Sequence, residues 1–143
     1  MIWPLTFEDR LQTWADLRSQ VQTMELEPAL KKINAWWFNS PWKPYYLHWD
    51  DRAHWPDPWQ LLVENTYCEV ARALGICYTL LLTGVKDINL VQATDKIGDD
   101  VTLVLVDNAK YILSYHPNTV LSNTLKDFNI KRHVDISHIQ SKL

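Results

Sequence analysis

At 143 residues, with 47% hydrophobic and 22% charged residues, the chain has the make-up of a globular protein and the length of one domain, residues 1–143. A formal net charge of -3 supplies no basic footprint for nucleic acid, and three glycines, Gly75, Gly84 and Gly98, are too few for a glycine-rich phosphate loop. Cys68 and Cys77 read as an intracellular complement, the start MIWPLTFEDR turns polar too early for a signal peptide, and ICYTLLL falls short of the roughly 20 apolar residues that cross a bilayer, so no membrane partner is expected.

Thr6, with Asp9 three residues on, reads as a capping-box variant that opens an amphipathic helix carrying Leu11, Trp14, Leu17, Val21 and Met24. Leu30, Ile33 and Trp37 mark one face of a second helix over 26–38, and Pro41 and Pro44 then stop regular structure. Residues 39–57 have no clean period but are rich in aromatics, which predicts an ordered loop rather than a disordered linker. Asp57-Pro58 is a strong helix start, and the stripe Trp59, Leu62, Val63, Tyr67, Val70, Ala71, Leu74 extends that helix to Gly75, placed where a C-terminal glycine belongs. Beyond it, Ile76–Leu82 and Ile88–Ala93 read as strands. Val101–Val106 and Lys110–Tyr115 flank a polar hairpin turn at Asp107-Asn108-Ala109. Leu121–Phe128 reads as a short helix and the tail VDISHIQSKL as a strand or a loose end. Helices first and strands after give an α+β fold: N-terminal helices and a Trp-rich ordered loop, packed with a central helix on a small antiparallel β-sheet.

All eight tryptophans fall in the first fifty-nine residues. The segment holding Trp36, Trp37, Trp42, Tyr45, Tyr46, Trp49 and Trp55 carries more aromatic surface than one small core needs, and these residues are the expected partner-binding surface. Tryptophan and tyrosine anchor protein interfaces, so the expected partner is another protein or a further copy of the chain, giving a homo-oligomer. Exposed tryptophan faces would also suit stacking on sugar rings.

Of the residues with chemical potential, His48, Asp50, Asp51, His54 and Asp57 have metal-ligand types but no zinc spacing, and capping of turns accounts for them; neither a metal nor a cofactor is expected. Asp50-Asp51 and Asp99-Asp100 are adjacent, so their side chains diverge in extended chain. His116 and His133 lack an identifiable partner, and the terminal Ser141-Lys142-Leu143 matches a peroxisomal address.

Cys68 is the candidate nucleophile if the chain is an enzyme. A thiol is activated by a helix N-terminus or a cationic neighbour, and a helix running from Pro58 would leave Cys68 at its middle. The stretch Tyr67-Cys-Glu-Val-Ala-Arg-Ala-Leu-Gly-Ile76, with strands after it, resembles the core of the transglutaminase-like cysteine hydrolases over residues 65–117. That resemblance implies a cysteine opening a helix, a histidine beginning one strand and an acid ending the next. Asp100 stands near the histidine's position, and Tyr115 or His116 near the acid's. The block from Trp49 through His54-Trp-Pro-Asp-Pro-Trp to Leu82 resembles, in style, small virion proteins of tailed bacteriophages over residues 36–83. The main expectation is therefore a non-enzymatic assembly protein of a phage tail, neck or baseplate, located in the virion and made in the host cytoplasm. A cysteine hydrolase or transferase with a reduced transglutaminase-like core, or a carbohydrate-binding tail module, is the alternative.

Overall fold

The computed structural model describes residues 2–143. Two helices, α1 (Phe7–Val21) and α2 (Leu26–Phe38), lead into the aromatic loop, within which Trp49–His54 forms a 3₁₀ turn. Helices α3 (Pro58–Glu64) and α4 (Glu69–Leu82) follow, then strands β1 (Ile88–Thr94), β2 (Asp100–Val106), β3 (Tyr111–His116), β4 (Thr119–Ser122) and β5 (Asn129–Val134), and a short terminal α5 (Ile136–Gln140). The strands form one antiparallel sheet in the order β4-β3-β2-β1-β5. The fold class is α+β, as the order of the elements predicts.

Thr6 caps α1 by accepting the Asp9 N–H at 3.1 Å. Trp14, Leu17 and Val21 on α1 and Leu30, Ile33 and Trp37 on α2 are buried at the predicted spacings. Asp57 and Gln60 close a full capping box at the start of α3, with Pro58 in the first turn.

That helix does not run on to Leu74. Asn65 takes the left-handed conformation (φ 54°), and asparagine is one of the few residues that enters it readily. The turn is held from three sides. Trp3 Nε1 donates to Asn65 Oδ1 at 2.7 Å, Tyr67 Oη donates to the Leu61 carbonyl at 2.9 Å, and Tyr67 pairs with Trp42 in an isolated parallel bridge. The break also resets the helix face: Leu61 and Leu62 are buried, whereas Trp59 and Val63 stay largely exposed.

The second correction concerns Ile76–Leu82, which is the C-terminal half of α4 and not a strand. Every residue from Val70 to Leu80 is buried, so α4 is a central helix surrounded on all sides and has no polar face to reveal its period. Gly75 sits inside it. A Cβ at Gly75 would lie 2.6 Å from Trp37 ring carbons, so the glycine makes room for the indole rather than ending the helix.

The Asp107-Asn108-Ala109 turn joins β2 to β3 with all three residues at positive φ. The segment 121–128 holds the end of β4 and a 3₁₀ turn over Leu125–Asp127 rather than a helix, and the tail VDISHIQSKL, which begins at the last residue of the edge strand β5, forms α5 rather than a strand or a loose end. Leu90, Val104 and Leu113 stand side by side in register on the sheet face that meets α4. On the opposite face Val91, Leu103, Leu105 and Ile112 form a smaller cluster, partly covered by Leu121, Leu125 and Phe128.

Thr79 joins α4 to both N-terminal helices. Its Oγ1 accepts Trp14 Nε1 and Trp37 Nε1, each at 2.9 Å, and donates to the Gly75 carbonyl at 2.7 Å. Thr79→Val keeps the shape and orphans two buried indole N–H groups. At about 1–3 kcal/mol for each unsatisfied donor, the variant should lose roughly 2–6 kcal/mol of stability, read from the denaturant midpoint, while Thr79→Ser should lose far less.

Candidate functional site

The break between α3 and α4 places Cys68 at the N-cap of a 14-residue helix, not in the middle of one. Its backbone is extended (φ -103°, ψ -173°), and its side chain makes no capping bond to the helix. The unpaired N–H groups of the first turn put partial positive charge at that end. The Leu47 N–H adds a further donor, 3.3 Å from Cys68 Sγ.

The sulfur borders a cleft of about 690 Å³. One wall is the start of α4, Cys68 to Val70. A second is the aromatic loop, with Trp42, Tyr45 and Leu47–Asp50. The third is the sheet, with Gln92 on β1, Asp99–Thr102 at the start of β2 and Arg132 on β5.

Trp49 fixes the loop to the sheet. It is buried, donates Nε1 to Thr102 Oγ1 at 3.3 Å, packs edge-on against Trp55 and lies between the guanidinium groups of Arg52 and Arg132. Arg132 also donates to Gln92 Oε1 and to Asp50 Oδ1, each at 2.8 Å. Trp55 Nε1 donates to the His48 carbonyl at 2.9 Å.

The two cysteines differ sharply. Cys77 is wholly enclosed in the core, and burial pushes its thiol far above its ordinary value. Cys68 is 4% exposed and opens onto the cleft. Beside it, Arg72 lies against the rings of Phe38 (4.0 Å) and Trp42 (4.9 Å), and burial lowers its pKa despite Glu69 nearby.

The aromatic residues expected to face a partner divide. Trp36, Trp37, Trp49 and Trp55 are buried in the main core, so the supposed surplus fills the interior. Tyr46 packs partly buried against that core. Trp42 (53% exposed) and Tyr45 (84% exposed) stand at the cleft rim.

The metal-type cluster does not converge either. His48 and Asp50 line the cleft, His54 pairs with Asp51 at 2.5 Å on the exposed side, and Asp57 is used in its capping box. His116 lies at the end of β3, beside Tyr115. The site residues that sequence reasoning passed over are Leu47, Gln92, Thr102 and Arg132. The one local signal for the site was Asn65, a left-handed stop three residues before the cysteine.

The solved structures that the chain resembles have the transglutaminase-like fold. Among solved structures, the chain is similar to LapG of Legionella pneumophila, a bacterial cysteine protease of that fold, at 15% identity, covering 93% of this chain and 78% of LapG with a TM-score of 0.74. Calcium-bound LapG matches at 14% identity and TM-score 0.75, over 93% of this chain and 78% of that one. EGTA-treated LapG matches at 15% identity and TM-score 0.74, over 93% and 76%. No family model and no curated protein matches the sequence.

This likeness is one of fold, and it overturns the phage reading: the virion role, the virion location and the non-enzymatic assignment find no support in it. It agrees instead with the resemblance carried by residues 65–117. The departure foreseen there is real, because Asp100, not histidine, begins β2.

Among the described residues, no three His, Cys, Asp or Glu side chains gather to hold a metal ion. Asp95 Oδ1 accepts the Ile97 and Asp99 N–H groups, Asp100 pairs with Lys131, and Asp50 pairs with Arg132.

Glu69, next to the cysteine, is held above its ordinary carboxylate value. Burial is the main cause and Asp100 adds to it, while Arg72 and a backbone hydrogen bond from Thr102 oppose it. A raised value means that the folded state holds the proton more tightly, so this stability is present in acid and is lost as pH rises through the folded value. Glu69→Gln should therefore melt higher than the wild type at neutral pH, and the difference should vanish below the ordinary glutamate value of about 4.3. Thermal melts at the two pH values check it.

Proposed function

We propose that the chain is a cysteine hydrolase that cleaves peptide amide bonds through Cys68. The observation that carries this reading is the position of Cys68 Sγ, at the N-cap of α4 and on the wall of an open cleft. The fold shared with LapG, a cysteine protease, supports it.

The chemistry follows from that position. A carbonyl carbon of a bound peptide is attacked by the Cys68 sulfur as a thiolate, and the carbonyl π pair moves to oxygen. The N–H groups at the start of α4 are available as donors to the charge that develops on that oxygen. When the carbonyl re-forms, the C–N bond breaks and the amine leaves with a proton, which gives a thioester on Cys68. Water then attacks the thioester, releases the acid and restores the thiol. The exposed faces of Trp42 and Tyr45 at the rim suit an apolar or aromatic side chain of the peptide.

The test is reactivity. Iodoacetamide at neutral pH should alkylate Cys68 and leave the enclosed Cys77 unmodified in the folded chain, as read by peptide mapping. Cys68→Ala should abolish both the labelling and the cleavage of a mixed peptide library, with its melting curve retained. Equal, slow labelling of both cysteines, or cleavage by Cys68→Ala, would overturn the reading.

A further inference from the structure

Cysteine chemistry needs a group that takes the thiol proton, and the strand position where a transglutaminase-like core carries histidine is Asp100. A carboxylate with an ordinary value near 4 is a poor match for a thiol near 8.5, whereas an imidazole near 6.5 is a good one. Asp100 is also paired with Lys131 at 3.0 Å. The base must therefore be sought elsewhere on the cleft wall.

Five histidines are present, and among the described residues one of them lines the cleft with Cys68: His48. The others are accounted for. His54 is bonded to Asp51, His138 contacts the Arg52 carbonyl and the Trp55 ring, His116 lies tilted against Tyr115, and His133 is exposed on the edge strand β5. The position of His48 is fixed through its backbone. Its carbonyl accepts Trp55 Nε1 at 2.9 Å and the Asp51 N–H at 3.1 Å. The preceding residue, Leu47, places its N–H on Cys68 Sγ at 3.3 Å. His48 is thus one residue along the chain from a group that touches the sulfur. His48 is exposed, and among the described residues no hydrogen bond holds its ring.

We infer that His48, carried by the aromatic loop rather than by the sheet, is the proton acceptor for Cys68. This rests on the cysteine hydrolase reading above. In the first step the Sγ–H bond breaks, the proton moves to an imidazole nitrogen and the sulfur electron pair forms the bond to the carbonyl carbon. The imidazolium then gives that proton to the departing amine. In the second half, neutral His48 takes a proton from the attacking water and returns it to sulfur as the thioester C–S bond breaks. The other titratable groups that face the cleft are Tyr45 and Asp50 of the loop, Glu69 of α4, Asp99 and Asp100 at the start of β2, and Arg132 of β5.

The test measures iodoacetamide alkylation of Cys68 in the full chain against pH, for the wild type, His48→Gln and the control His133→Gln. At about pH 6.5, His48→Gln should react at least about tenfold more slowly than the wild type. The two curves should converge in alkali, where the thiol ionises without help. His133→Gln should follow the wild type. Peptide cleavage by His48→Gln should fall about 10²–10⁴-fold, with partial recovery on adding free imidazole to His48→Ala. Superimposable alkylation profiles for wild type and His48→Gln would overturn the role of His48 and leave Cys68 as nucleophile. A wild-type Cys68 that does not react at any pH would remove both.

Discussion

The hydroxyl of Thr79 is the point on which the helical half of the molecule depends. One oxygen accepts two indole N–H groups, from Trp14 on α1 and Trp37 on α2, and gives its own proton to the Gly75 carbonyl one turn back. A hydroxyl has one donor and two acceptor positions, and here all are used. The arrangement works because Gly75 has no side chain: the Trp37 ring lies where a Cβ would be, which brings α2 close enough for its N–H to reach. Trp3, Trp36 and Tyr67 then pack around Trp37, and this aromatic group holds the N-terminal segment, α2 and the α3–α4 turn together.

The cleft is a consequence of that core and of a second clamp on the far side. The turn at Asn65 is fixed by Trp3 and Tyr67, both members of the aromatic group, so the packing that buries Trp37 also determines where α4 begins. Cys68 becomes a helix N-cap for that reason. On the other side, Trp49 and Arg132 fasten the loop to β2, β1 and β5. The loop is thereby held away from the sheet near Cys68 while being anchored to it a few residues later, and an open space remains between three rigid walls. Sites built on fixed elements hold their geometry better than sites on free loops. Here even the loop that carries His48 is pinned by buried tryptophan.

Much of the architecture was legible along the chain. The Thr6 and Asp57 caps, the apolar spacing of α1 and α2 and the Asp107-Asn108-Ala109 turn are local signals, and each holds in the structure. The misreadings within α4 share one cause. A helix buried on every side has no polar face, so Ile76–Leu82 offers the same apolar run as an interior strand. Gly75 offers the same letter whether it ends a helix or admits an indole. The candidate site was legible only in part: Cys68 was the right atom in the wrong setting, and His48 and Asp50 were noticed for metal-ligand chemistry that the structure does not bring together.

Residue order and type by themselves determined the class of fold, the starts of three helices and the presence of one cysteine whose surroundings resemble a transglutaminase-like core. These are matters of local hydrogen bonding and periodicity, which a chain carries without reference to distant residues. Tertiary structure decided which cysteine borders the cleft and which is enclosed in the core, where the central helix begins, and that most of the tryptophans are interior. It also placed His48, Cys68, Asp100 and Arg132 around one space, although 84 residues separate the first from the last. Such meetings depend on how a buried ring and a side-chain-free position fit each other across elements, and that complementarity of shape has no period that a single stretch of sequence could display.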